Sequence, residues 1–181
     1  MCRLTEYTLA GLALFVFACG DDPVAYSETV SLKLSGIKNG DIAQGVASED
    51  KNVNSESGNP YAEFLKSARA ELGRDPGSIE LVSAFVRVHA DSKNVVNIEQ
   101  VFEDLELFLA NSQTTIPASD NEAPTGTSVR MAIYEDLDYG PVFDSMLAGD
   151  FKVGVRGATA AEPPADFDLK LTLDLKFTAY E

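Results

Sequence analysis

Residues 166–180 read DFDLKLTLDLKFTAY, with apolar side chains at every odd position from Phe167 to Ala179. Asp168, Lys170, Thr172, Asp174, Lys176 and Thr178 stand between them. Alternation this long is the mark of a strand with one buried face and one wet face, because successive side chains leave a pleated backbone on opposite sides. The pattern predicts Leu171 and Leu173 buried, with Thr172 and Asp174 exposed. Unbroken, the strand would run about 45–50 Å, so it either crosses a whole sandwich or bends between its sheets.

Working outward, the chain repeats the same theme. ETVSLKLSGI (28–37) alternates, with Val30, Leu32 and Leu34 on one face. SIELVSAFVRVHA (78–90) is apolar on both faces, the composition of a central strand covered twice. Strands are also predicted at 104–110, 127–136 and 150–156, separated by Gly/Pro turns. Two helices interrupt them. Asn59-Pro60 supplies an N-cap and a proline at the first position for an amphipathic helix over 60–72, with Tyr61, Phe64, Leu65, Ala68 and Leu72 at helical spacing and Gly73 closing it. Gly140-Pro141 opens a shorter one over 141–148. Residues 97–103 read as one or two helical turns, and the Gly-, Asn- and Ser-rich stretch 38–59 as a long loop. The fold class is therefore mainly β, an antiparallel β-sandwich with one or two short helices; a half-barrel is the alternative.

Charge is the skewed quantity. Lysine and arginine total 14 against 29 acidic residues, a net charge of −15. A polyanion is repelled by such a surface, so nucleic acid is excluded as a partner, and anionic lipid headgroups are repelled too. Any membrane association must come from an anchor. The only cysteines are Cys2 and Cys19, and His89 is the only histidine, so the later chain has no thiol nucleophile, disulfide framework or His-rich zinc site.

The N-terminal stretch MCRLTEYTLAGLALFVFACGDD (1–22) reads as an address. Arg3 lies before an apolar run from Leu9 to Ala18, the length of a signal-peptide core and well short of the roughly 20 residues of a spanning helix. Val16-Phe17-Ala18-Cys19 resembles the lipobox of bacterial lipoproteins: aliphatic at −3, small at −1, cysteine at +1, with Phe17 at −2 where the pattern has a smaller residue. The resemblance implies a signal peptide over 1–18, removed before Cys19, and acyl chains on the Cys19 thiol and new amine that hold the protein to a membrane. It further implies a lipidated tether over 19–27 and a single domain over 28–181. Gly20 at +2, in place of aspartate, implies the outer membrane by the enteric sorting rule. Ordinary secretion is the competing reading, since Val16 and Ala18 also suit a small-residue cleavage site. The order of elements in the later chain is similar to small β-sandwich modules of envelope lipoproteins.

Carboxylates are the abundant functional groups. Glu135, Asp136 and Asp138 precede Gly140 where a strand enters a loop, an oxygen-rich arrangement that makes them calcium candidates. The EF-hand spacing fails, because Gly140 and Leu147 fall where the fifth and twelfth ligands should be. Asp41, Glu49 and Asp50 form a weaker set. Tyr61, Tyr134 and Tyr139 are the aromatic groups that could stack on a sugar, with core or rim packing the commoner fate. The sequence holds no nucleophile elbow, P-loop or dinucleotide fingerprint. It predicts a non-enzymatic envelope protein with a structural or partner-binding role; the alternative is a calcium-dependent or glycan-binding module in the same place.

Overall fold

The computed structural model describes residues 24–181 except 55 and 57. Along the chain these form β1 (Ala25–Lys33), β2 (Ile37–Lys38), β3 (Val46–Val53), α1 (Pro60–Leu72), β4 (Ser78–Val88), β5 (Leu105–Ala110), β6 (Thr115–Asn121), β7 (Ser128–Ile133), α2 (Gly140–Ala148), β8 (Phe151–Ala158), β9 (Asp168–Leu169) and β10 (Leu171–Tyr180). Eight strands join in one antiparallel sheet ordered β1-β10-β4-β7-β6-β5-β8-β3, and β2 pairs with β9. The hinge is β7. Its first four residues, Ser128–Met131, pair with β4, while Ala132 and Ile133 pair with β6. The sheet thus curls into two wings whose inner faces share one core. The fold is mainly β, as the alternating pattern predicts.

The final stretch supplies the centre of that core. Leu171, Leu173, Leu175, Phe177 and Ala179 are fully buried, flanked by β1 on one side and β4 on the other. Three details differ from the sequence reading. The strand is broken at Lys170, so β10 has ten residues and β9 leaves to pair with β2. Thr178 is buried too, its hydroxyl 2.7 Å from that of Ser27 on the neighbouring strand. Thr172 and Asp174 are half-buried, not exposed, because the flanking strands crowd them. Ser31 Oγ donates to Asp174 at 2.6 Å and Arg87 Nε at 2.5 Å. Burial pushes the Asp174 carboxyl up, but these two donors and the Arg87 charge together outweigh it and hold it below its ordinary value.

Strand β4 corrects a second expectation. Its inward side chains are Ile79 and Leu81, then Ala84 and Val86, while Val82 and Phe85 are about 40% exposed (39% and 40%). Phe177 pairs with Leu81 and Lys176 with Ser83, leaving Val82 as the extra residue of a β-bulge. One inserted residue reverses side-chain parity, so Ile79 and Leu81 before it and Ala84 and Val86 after it reach the same face, although they look two-faced in sequence. The strand is central but covered on one side.

The predicted 38–59 loop holds an eight-residue strand, β3, paired along its length with β8. Only Ala47 and Val53 of β3 are buried, so it carries too little apolar signal to be read from composition. β6 also lies in a predicted loop. It contains Pro117, which is accommodated at a register shift beside Phe108, where Ala118 is the extra residue. The 97–103 turn is a short 3₁₀ segment, Ile98–Gln100. The 127–136 strand ends at Ile133, and β1 begins at Ala25, three residues before the predicted domain start.

Helix α1 forms as the sequence predicts. Asn59 Oδ1 accepts the Tyr61 N–H at 2.9 Å, and Gly73 ends the helix at φ 69°. Its buried face packs beside β1, and Tyr61, Phe64, Phe151 and Phe177 meet at centroid distances of 4.8–5.8 Å. The Tyr61 hydroxyl lies inside this cluster without a hydrogen-bond partner, and burial drives its pKa far above the ordinary phenol value.

Candidate functional site

Cys19 and the lipobox-like motif lie outside the described residues. Among the described residues, no helix is long and apolar enough to cross a membrane.

The calcium candidates do not converge. Glu135, Asp136 and Asp138 are exposed on the segment after β7, with half-buried Leu137 and Tyr139 packed against the core. Asp138 spends one oxygen on the chain itself, its Oδ1 accepting the Gly140 N–H at 2.9 Å where α2 begins. Among the described residues, no three His, Cys, Asp or Glu side chains are grouped to hold a metal ion. The segment turns after β7, and only Leu137 and Tyr139 point back toward the core, which leaves the three carboxylates on its exposed side. His89 is a rim residue, with Nδ1 accepting the Asp91 N–H at 3.1 Å.

Carboxylates do converge elsewhere. A cleft of about 480 Å³ opens where β5 starts, β6 ends and β8 ends. That volume lies in the range of roughly 300–1,000 Å³ typical of small-ligand sites. Asp104, Glu106, Asp120 and Glu122 line it, with Arg156 as its sole basic residue and Tyr134 and Asn121 at its side. Arg156 is already engaged. Its Nη2 lies 2.6 Å from Glu106 Oε1, and its guanidinium stacks 5.7 Å from the Phe108 ring centre. Asp104 Oδ1 accepts the Ala158 N–H at 2.6 Å. Burial, then the hydrogen bond and charge of Asp120, raise the pKa of the Tyr134 phenol and keep it protonated.

The close seating of these walls depends on Gly157. A Cβ there would collide with the Asp104 carbonyl oxygen, so only glycine lets β8 approach the start of β5 this closely. With Arg156 neutralised by one carboxylate, the cleft presents surplus negative charge beside a phenol ring. It is suited to an ammonium or guanidinium group. Sequence reasoning missed it because its residues come from separate segments. The one local hint is the run Asp120-Asn121-Glu122 at the end of an unrecognised strand.

No family model matches the chain, and no curated protein matches it. Among solved structures, a chain from turnip yellow mosaic virus aligns at a TM-score of 0.31 and 9% identity, covering 88% of this chain and 95% of the other. A chain from desmodium yellow mottle tymovirus aligns at 0.28 and 11% identity, covering 100% and 95%. Likenesses this slight carry no argument.

Proposed function

We propose that this is a lipid-anchored cell-envelope protein with a non-enzymatic, partner-binding role. The observation that carries the reading is the motif Val16-Phe17-Ala18-Cys19 at the end of the apolar run Leu9–Ala18. A thiol at that place is the chemistry needed for acylation, and two or three acyl chains at about 0.8 kcal/mol per buried CH₂ make a lasting anchor. The distance to the domain supports it. The first strand starts six residues after Cys19, so a tethered domain would sit close to the bilayer. The net charge of −15 argues against adhesion through headgroups and leaves the lipid to do the holding. Gly20 at +2 favours the outer membrane. In this reading the cleft around Asp104, Asp120 and Tyr134 receives a cationic group of an envelope partner.

The test is Cys19→Ser. Wild-type protein is expected to incorporate labelled palmitate and to pellet with membranes, and the variant to lose both. A Ser variant that still pellets after a high-salt wash would overturn the anchor, and an unlabelled wild type found in the soluble fraction would point to ordinary secretion.

A further inference from the structure

We propose that the free edge of β4 between Ser78 and Ser83 is a strand-addition site for an extended segment of a partner protein bearing lysine or arginine. Along its whole length β4 pairs with β10, but on its other side β7 covers only Ala84–Arg87 and then peels away toward β6. Hydrogen-bonding direction alternates along an antiparallel strand. Ile79 and Leu81 therefore turn their N–H and C=O groups away from β10, into the gap left by β7.

At Leu81 a single hydroxyl stands in for the missing strand. The Leu81 N–H donates to Tyr139 Oη at 3.0 Å, and Tyr139 Oη–H donates to the Leu81 carbonyl at 3.2 Å. A donor and an acceptor on one residue are what a neighbouring strand would satisfy with its backbone. Tyr139 is thus a replaceable cap on a strand edge.

The gap is shaped for a strand. Cavities of about 400, 290 and 360 Å³ follow one another along β4, the first two sharing Val82 and Ile133 and the last two sharing Glu80, Leu137 and Tyr139. Together they follow Gly77–Ser83, a furrow about 20 Å long at roughly 3.3 Å per residue. Val82 stands 39% exposed on it as an apolar contact for alternate side chains. The charge selects the occupant. Glu80, Glu135 and Asp138 line the furrow, and Arg130 at one end is its sole basic residue. The acidic run of 135–138 acts here as the rim of a peptide site. The outer edges of the sheet differ. β1 lies against α1, and β3 carries Asp50 and Lys51, with Lys51 Nζ donating to the Lys33 carbonyl at 3.2 Å. These are features that discourage pairing.

The experiment uses the full chain in detergent micelles and an end-blocked eight-residue peptide alternating lysine with valine. Amide NMR shifts at Ile79, Leu81 and Val82 are expected to move on titration. Methylating alternate peptide nitrogens should abolish binding in one register and spare it in the other, because alternate residues face the edge. A glutamate–valine peptide should not bind. Tyr139→Phe removes the hydroxyl that occupies Leu81 and should tighten binding by about tenfold, the worth of one recovered hydrogen bond. Absence of binding to both wild type and variant would overturn the proposal. So would equal binding of both methylated registers, or shifts confined to the cleft at Asp104 and Asp120. Should Tyr139→Phe not fold, the methylated pair on wild type decides alone.

Discussion

Leu173→Ala tests the central strand at its most enclosed point. Leu173 is fully buried on β10 and stands in register with Leu32 on β1 and Val86 on β4, both buried. Truncation removes three carbons and leaves a void that neighbouring strands cannot close, because hydrogen bonding on both sides holds β10 in place. Leu→Ala losses in such rigid sites run to about 3–5 kcal/mol, the transfer term and the cavity term acting together. For a domain of this size each kcal/mol moves the melting temperature by about 2–4 °C, so a fall of about 6–20 °C is expected. Thr172→Ala is the control. Thr172 is half-buried on the opposite face between Lys33 and Arg87, and its loss should cost under about 1 kcal/mol. Urea unfolding followed by circular dichroism gives both numbers. Equal losses from the two neighbours would refute the assignment of one face to the core.

Two further substitutions probe particular contacts. Tyr61→Phe removes a hydroxyl that is buried among aromatic rings without a partner, so it should stabilise the domain by about 1–2 kcal/mol, read from the same urea midpoint; a destabilised variant would mean that the hydroxyl is satisfied in solution. Gly157→Ala forces a methyl against the Asp104 carbonyl and should cost about 1–3 kcal/mol while loosening the wall of the cleft, whereas Gly45→Ala, with open space around it but φ 77°, should cost only its backbone strain. A Gly157→Ala protein as stable as wild type would show that β8 and β5 do not approach as closely as described.

How much was legible follows the strength of local pattern. Helix α1 announced itself through Asn59, Pro60, the spaced apolar residues and Gly73, all within one segment. The final stretch did so through seven odd-numbered apolar positions, Phe167 to Ala179, five of them in β10. β3 and β6 did not, because an edge strand anchored by Ala47 and Val53, and a strand with Pro117 at a bulge, carry loop-like composition. The carboxylates were visible as residues, but their spatial neighbours were not. Proximity in sequence suggested Glu135, Asp136 and Asp138, whereas the fold places Asp104, Glu106, Asp120 and Glu122 on the walls of one cleft.

The mainly antiparallel class and the excess of acidic side chains could be read from the chain alone, since each depends on composition or on neighbours a few residues apart. The face that β4 presents is set by tertiary structure, because it turns on one inserted residue at Val82 whose effect appears only against β10. Tertiary structure alone also divides the pairing of β7 between β4 and β6, which opens the furrow beside Leu81. And it alone assembled the acidic cleft, since strands distant in the chain become neighbours through backbone hydrogen bonds whose register no single segment encodes.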